Sequence, residues 1–478
     1  MKYPDRTAFI ISNPQLITEI LNGKPAISQI FLVGGAQVKH ANVTVYAGRS
    51  FHDTALLICQ EMLQRRLMHV VSDPANRLLE QKVLELVGSS CQFALSGAIQ
   101  NALENLWGNL PFLPGSLSVD AVQGRFQGIP GIIVASGPSL QKNVQLLKDL
   151  KSNAMLISCG STLGPLRRRD ILPHFEVVVD PNPAMFDALK PYLDSPVCFL
   201  LSLMAHHRIS RECTGQRIYF PTNFQRNALE DIKQFCGIRT VLPAMASVAT
   251  TALFFALHAG CNPIVFVGQD LCYSEERMHI DGEVPPADAC TLETLDGRLV
   301  RSSPAMKEAF DFYRDFIPTI KDRAIINATE GGAGIPGAQV LSLAETAVQY
   351  LTQPISFPEL PELKTDRRFM EGRLKELRNG LNAMNIKATG FQKKIRAQLE
   401  RCKEETAASA KISSWFESLR TMAGYEYLSG YLDWAFYKAD TQGGIAKKME
   451  LLASTTSMLQ QQIQLIEKAL VPASGISS

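Results

Sequence analysis

The chain has 478 residues, of which 46% are hydrophobic and 20% charged, and its formal net charge is +2. Such a composition excludes a disordered chain, and so small a charge argues against a nucleic-acid partner. The ten cysteines include no Cys-x-x-Cys pair, which excludes the usual zinc pattern and points to reduced thiols. The length suggests two to four domains. Met-Lys-Tyr-Pro-Asp-Arg is followed by no signal-peptide block. No apolar run reaches the roughly 18 residues of a membrane span. The most apolar stretch, Thr251 to Gly268, is interrupted by His258, Asn262 and Pro263. The expectation is a soluble cytoplasmic protein with no membrane association.

Residues 1–125 read as a smaller N-terminal α/β domain. Thr7 to Ser12 and Ile30 to Val33 have the look of strands, and Leu56 to Arg66 and Pro74 to Val87 of helices. Gly34-Gly35-Ala36-Gln37 closes the second strand, as a plain turn or a ligand contact. Asn101 to Gly128, rich in Gly, Pro and Asn, reads as a linker or lid without a long regular element.

Residues 126–352 alternate strands and helices, the pattern of βα units on a mostly parallel, Rossmann-like sheet. Ile132 to Val134 is a short apolar strand. Ser136, Gly137 and Pro138 break it, with Gly137 expected to supply backbone freedom and Ser139 to cap the next helix. Ala154 to Ser158 ends in Cys159-Gly160-Ser161-Thr162, with a helix over Leu163 to Arg169. Phe175 to Val179 ends in Asp180-Pro181-Asn182-Pro183. Val197 to Leu203 and Arg217 to Phe220 add strands. Ser247 opens an apolar helix, and Pro263 to Val267 runs into Gly268-Gln269-Asp270. Ligands of open parallel sheets lie beyond the carboxyl ends of the strands, which is where these polar turns fall. The glycine-rich loop from Asn327 to Gly337 follows; its Glu330 reads either as a ligand-edge carboxylate or as a solvated surface group.

Residues 353–478 read as a C-terminal helical domain. Phe369, Leu374, Leu377, Leu381 and Met384 fall at helical spacing. Trp415 to Tyr437 is aromatic, Met449 to Leu470 is a further helix, and Ser474 to Ser478 a frayed tail.

The ordered set Gly-Pro-Ser-Leu, Cys-Gly-Ser-Thr, Val-Val-Asp-Pro, Ser-Val-Ala-Thr-Thr-Ala-Leu, Val-Gly-Gln-Asp-Leu and Thr-Glu-Gly-Gly-Ala resembles the motility-associated factor glycosyltransferases, which decorate bacterial flagellin. The match runs from Gly131 to about Gly337, and the three-part layout agrees with it. The central domain is further similar to bacterial sialyltransferases that use CMP-sialic acid. The resemblance implies that Ser136, Gly137, Pro138 and Ser139 line the donor nucleotide and that Gly160, Ser161 and Thr162 flank it. Asp180 and Asn182 stand at the next strand end. Ser247 caps a helix facing phosphate or carboxylate, and Gly268, Gln269 and Asp270 hold ribose or base. In those enzymes the catalytic His lies well beyond the Gly-x-Asp motif, whereas here His279 follows Asp270 by only nine residues.

The implied reaction moves a nonulosonic acid of pseudaminic or legionaminic type from a CMP-activated donor to Ser or Thr of flagellin, without a metal or other cofactor. The base would be His279, whose residue type titrates near neutral pH, or Glu330. Asp270, at the end of a strand, is the better-fixed group. An ATP- and Mg²⁺-dependent pterin diphosphokinase and a non-catalytic, nucleotide-binding flagellin chaperone are the alternatives.

Overall fold

The computed structural model describes residues 7–11, 29–33, 43–46, 54, 58, 69–72, 74–84, 98–223, 228–245, 247–274, 279–281, 290–362, 367–402, 411–412, 414–416, 418–429, 432 and 445–470. Gly34 to Gln37, nearly all of Leu56 to Arg66 and the tail Ser474 to Ser478 lie outside them. Contacts divide the chain into two units, Met1–Ile99 with Asn382–Gln460, and Gln100–Leu381 with Gln461–Ser478.

In the first unit, β1 (Thr7–Ile11), β2 (Gln29–Val33), β3 (Val43–Tyr46) and β4 (His69–Ser72) form a parallel sheet in the order β3-β2-β1-β4. The same unit holds the later part of the helix Arg367–Cys402 and most of the helix Ile445–Ala469. Phe391 stacks on Trp415 with ring centres 5.2 Å apart, so part of the aromatic stretch is core. Of the helical positions singled out above, Leu374, Leu377, Leu381 and Met384 are buried, but Phe369 is 47% exposed.

The second unit is built on a nine-stranded sheet. Its strands are β5 (Leu117–Ser118), β6 (Gly131–Val134), β7 (Met155–Cys159), β8 (Phe175–Val178), β9 (Cys198–Ser202), β10 (Arg217–Phe220), β11 (Ile264–Val267), β14 (Ile325–Asn327) and β15 (Gln339–Val340). They lie in the order β15-β14-β11-β6-β7-β8-β9-β10-β5, and every pair is parallel. A short antiparallel hairpin, β12 (Cys290–Glu293) with β13 (Leu299–Ser302), stands apart.

The strands of this sheet's centre are buried on both faces, as expected where helices cover both sides. One face of β6, β7 and β11 packs Ile132, Val134, Leu156, Val265 and Val267 against Leu140, Val144 and Leu147 of the helix Leu140–Leu150. The helix Val248–Ala259 covers β6, β7, β8 and β11 from the other side. From β6 the chain steps outward through β7, β8, β9 and β10, then returns to lay β11 against the opposite edge of β6. The order reverses between β6 and β11, and their carboxyl ends are level because Val134 pairs with Val267.

The expected linker at Asn101 to Gly128 is corrected. Its first part is the helix Ala98–Asn109, and Leu117–Ser118 supplies the edge strand β5. The helix forms because Ala102, Leu103, Leu106 and Trp107 put an apolar stripe on one face, all of it buried.

Candidate active site

The turn after β6 and the turn after β11 are fastened directly to each other. Ala135 N donates to Val267 O over 2.9 Å and Gly137 N to Gly268 O over 2.9 Å. A Cβ on Gly137 would stand 2.5 Å from Gly268 O and 2.6 Å from Asp270 Cγ. A Cβ on Gly268, which has φ 69°, would stand 2.3 Å from Ala135 O. Glycine at 137 is therefore required by close approach, not by its backbone angles, since Gly137 is absent from the positive-φ residues.

Asp270 closes this junction. Its Oδ2 accepts from Ser139 N over 2.9 Å, and its Oδ1 accepts from Ser139 Oγ. The expected role of Ser139 as a side-chain cap is corrected on this ground, because its hydroxyl is turned to Asp270 and makes no capping bond. Burial raises the carboxyl pKa of Asp270, while the two Ser139 bonds and the Lys142 charge pull it back.

The 327–337 loop stacks on the same junction. Ala333 N donates to Asp270 O over 2.7 Å, and a Cβ on Gly332 would lie 2.2 Å from that oxygen. Thr329 Oγ1 accepts from Gln269 N over 3.3 Å. Glu330 Oε1 accepts from Leu343 N over 2.8 Å, so this carboxylate is spent on the start of the helix Leu343–Tyr350. Lys142 Nζ holds the Glu330 carbonyl over 2.7 Å.

His279 meets the turn after β6. Its Nδ1 lies 2.9 Å from Ser136 Oγ, and Ile280 N donates to Ser136 O over 2.8 Å. Asp281 accepts from Arg169 over 2.9 Å and also pairs with Arg168. Burial works against the Asp281 anion, but the two guanidiniums hold its pKa below the usual carboxylate range.

A second group of the expected residues gathers beside β7. Gly160, at φ 57°, opens the turn Gly160–Thr162, and a Cβ on it would lie 3.3 Å from Met185 Cε and 3.9 Å from Val248 Cγ2. Ser247 caps the helix that begins at Val248, accepting from Ala249 N over 3.3 Å. Asn182 caps the helix Pro183–Leu189 through Ala184 N at 2.9 Å, and Asp180 Oδ1 accepts from Asn182 N at 2.8 Å. Thr162 Oγ1 bonds back to Cys159 O over 2.9 Å and is buried, whereas Ser161 is exposed. The amino end of the 12-residue helix Val248–Ala259 thus faces the Gly160 turn, an arrangement that favours an anion.

Several supporting groups carry only a faint signal in the sequence. Asn105 Nδ2 donates to Pro181 O over 2.9 Å, and Asn109 Nδ2 to Leu203 O and Ala205 O over 2.9 and 2.8 Å. These asparagines, four residues apart on the 98–109 helix, hold the turns after β8 and β9; their spacing was the available signal. Glu176 is 0% exposed, and its Oε2 accepts from Ser158 Oγ. A glutamate within Phe-Glu-Val-Val was its signal. Among the described residues, no group of three or more His, Cys, Asp or Glu is placed to hold a metal ion, and no helix is long and apolar enough to cross a membrane.

The geometry can be set beside known proteins. Residues 104–276 match the family model described as 6-hydroxymethylpterin diphosphokinase MptE-like. The structure of MAf glycosyltransferase from Magnetospirillum magneticum AMB-1 aligns with a TM-score of 0.55 at 13% identity, over 97% of this chain and 78% of that one. The fold is shared with that protein. No curated protein matches the chain significantly. The family match begins at residue 104, inside the 98–109 helix, so that helix goes with the sheet it braces.

Proposed function

We propose that the chain is a glycosyltransferase that moves a nonulosonic acid from a CMP-activated donor to flagellin hydroxyls. The observation that carries this reading is the meeting of His279 with Ser136 at the point where the strand order reverses, the position at which open parallel sheets hold ligands. The fold shared with a glycosyltransferase over 97% of this chain supports it.

In this reading the cytidine monophosphate lies across the turns after β6 and β7. Its phosphate faces the Gly160 turn and the helix capped by Ser247. His279 is the base that accepts the proton of the acceptor hydroxyl. Asp270 acts through Ser139, keeping the turn after β6 in place, and Glu330 acts through Leu343, keeping the 327–337 loop in place. In this reading transfer proceeds without a metal, and the amino end of the helix Val248–Ala259 favours the charge of the leaving phosphate.

The family match to residues 104–276 favours a second reading, an ATP- and Mg²⁺-dependent pterin diphosphokinase. Calorimetric titration separates the two. CMP is expected to bind in the presence of EDTA, with ATP and Mg²⁺ binding far more weakly. Tight binding of ATP that depends on Mg²⁺, with none of CMP, would overturn the transferase reading.

A further inference from the structure

The turn after β9 carries a histidine for which the 98–109 helix provides a shaped seat. Asn105 Nδ2 donates to Pro181 O over 2.9 Å, and Asn105 Oδ1 accepts from His207 N over 3.1 Å. A backbone carbonyl only accepts and a backbone N–H only donates, so this amide has one orientation. The same Oδ1 lies 3.0 Å from His207 Nδ1, and that ring nitrogen therefore carries a hydrogen. Three residues on, along the same helix face, Gly108 makes room for the ring. A Cβ there would stand 2.6 Å from His207 Cγ and 3.0 Å from its Cδ2. His206 stacks on the ring with centres 5.2 Å apart. Burial lowers the pKa of His207; Glu104 opposes this, while Arg208 and Arg211 add to it. At neutral pH the ring thus holds one proton, on Nδ1, and its lone pair is on Nε2. Among the described residues Nε2 makes no hydrogen bond, and it is not closed off from solvent.

This seat belongs to the edge that holds the expected ligand residues. Pro181, whose carbonyl Asn105 holds, leads into Asn182 and the helix Pro183–Leu189, and Met185 of that helix lies against Gly160. β7 and β9 are two strands apart, which sets the turn after β9 roughly 10 Å along the edge from the Gly160 turn. We propose that His207 is a specificity-determining residue whose Nε2 accepts a hydrogen bond from a hydroxyl or amide N–H of the transferred sugar. Given the glycosyl-transfer reading above, on which this rests, the phosphate faces the Gly160 turn and the sugar extends from it towards β9. A nonulosonic acid carries hydroxyl and amide groups remote from its anomeric carbon, and a fixed neutral imidazole answers such a donor group. Asn105 and Gly108 are positioning residues that act through the ring.

Nitrogen-15 NMR of labelled histidine in the full-length protein reads both the tautomer and the contact. Wild-type His207 is expected in the Nδ1–H form, and Asn105→Ala is expected to shift it to the Nε2–H form. The wild-type Nε2 resonance should move on saturation with a CMP-activated nonulosonic acid and stay in place with CMP alone. In transfer assays His207→Phe should raise KM for the donor about 10-fold, the scale of one lost hydrogen bond, with kcat nearly unchanged and CMP affinity normal. His207→Gln, which keeps an acceptor, should recover part of the loss. A wild type in the Nε2–H form overturns the inference, and so does a lowered kcat at normal KM in His207→Phe, which would make the residue a proton-transfer group. If His207→Phe fails to fold, the wild-type titration decides by itself. A wild type that binds both CMP and the donor with no change at His207 overturns this inference alone, whereas one that binds neither overturns the transferase reading.

Discussion

A side chain at position 137 has no room. The nearest atom is the backbone oxygen of Gly268 at 2.5 Å, and that carbonyl is held in place by the hydrogen bond from Gly137 N. Gly137→Val is therefore expected to cost at least the ~1–3 kcal/mol typical of overpacking and to abolish nucleotide binding. A folded Gly137→Val protein with normal CMP affinity, measured by calorimetry, would contradict the placement of the site. The sequence makes this glycine conspicuous but suggests the wrong reason, because backbone freedom can be read from one residue and a close approach cannot. The same holds for Ser139 and Asp270, which meet across 131 positions of sequence. Glu176 permits a test of electrostatics. Burial holds its pKa well above the ordinary value of 4.5, so the folded chain keeps a proton that the unfolded chain gives up. Stability must then fall as pH rises from about 4.5 towards the folded pKa, by roughly 1.4 kcal/mol per pH unit. Glu176→Gln removes this slope. Its melting temperature relative to wild type should climb as the pH rises above about 4.5, whereas parallel curves would mean that Glu176 is ionised in the fold.

Among the elements, the central strands were the most legible. A short run such as Ile132 to Val134, apolar on both faces and closed by a polar turn, has few other homes than the middle of a parallel sheet. The helix Ala98–Asn109 was not legible. Four of the nine Gly, Pro and Asn residues that mark the stretch as a linker lie in the helix itself, and two of these, Asn105 and Asn109, are spent on the carbonyls of distant turns. Asn109→Ala should leave the Leu203 and Ala205 carbonyls short of a donor and lower stability by about 1–3 kcal/mol, read from denaturant unfolding. A change under about 0.5 kcal/mol would show that water replaces the amide. The helices after residue 360 were legible as helices, but not as partners of the sheet. Gln462, 1% exposed, accepts from the buried Trp107 indole over 2.9 Å, and Arg373 pairs with Asp231. A chain cut after Gln353 loses both, and size-exclusion chromatography should find it aggregated. A monodisperse truncated protein would show that the sheet does not depend on them.

At the scale of the whole molecule, the proposed function places the donor at the carboxyl edge of the nine-stranded sheet, where His279 meets Ser136. The elements that shape this edge come from far apart in the chain, which is why the polar strand ends were legible as a set while their bonding was not. The most direct measurement is the intact mass of flagellin after incubation with the full-length protein and a CMP-activated nonulosonic acid in EDTA. The account predicts a mass gain by whole nonulosonic residues, lost in Gly137→Val and strongly reduced in His279→Ala. An unchanged flagellin mass, together with Mg²⁺-dependent formation of a pterin diphosphate from ATP, would contradict it.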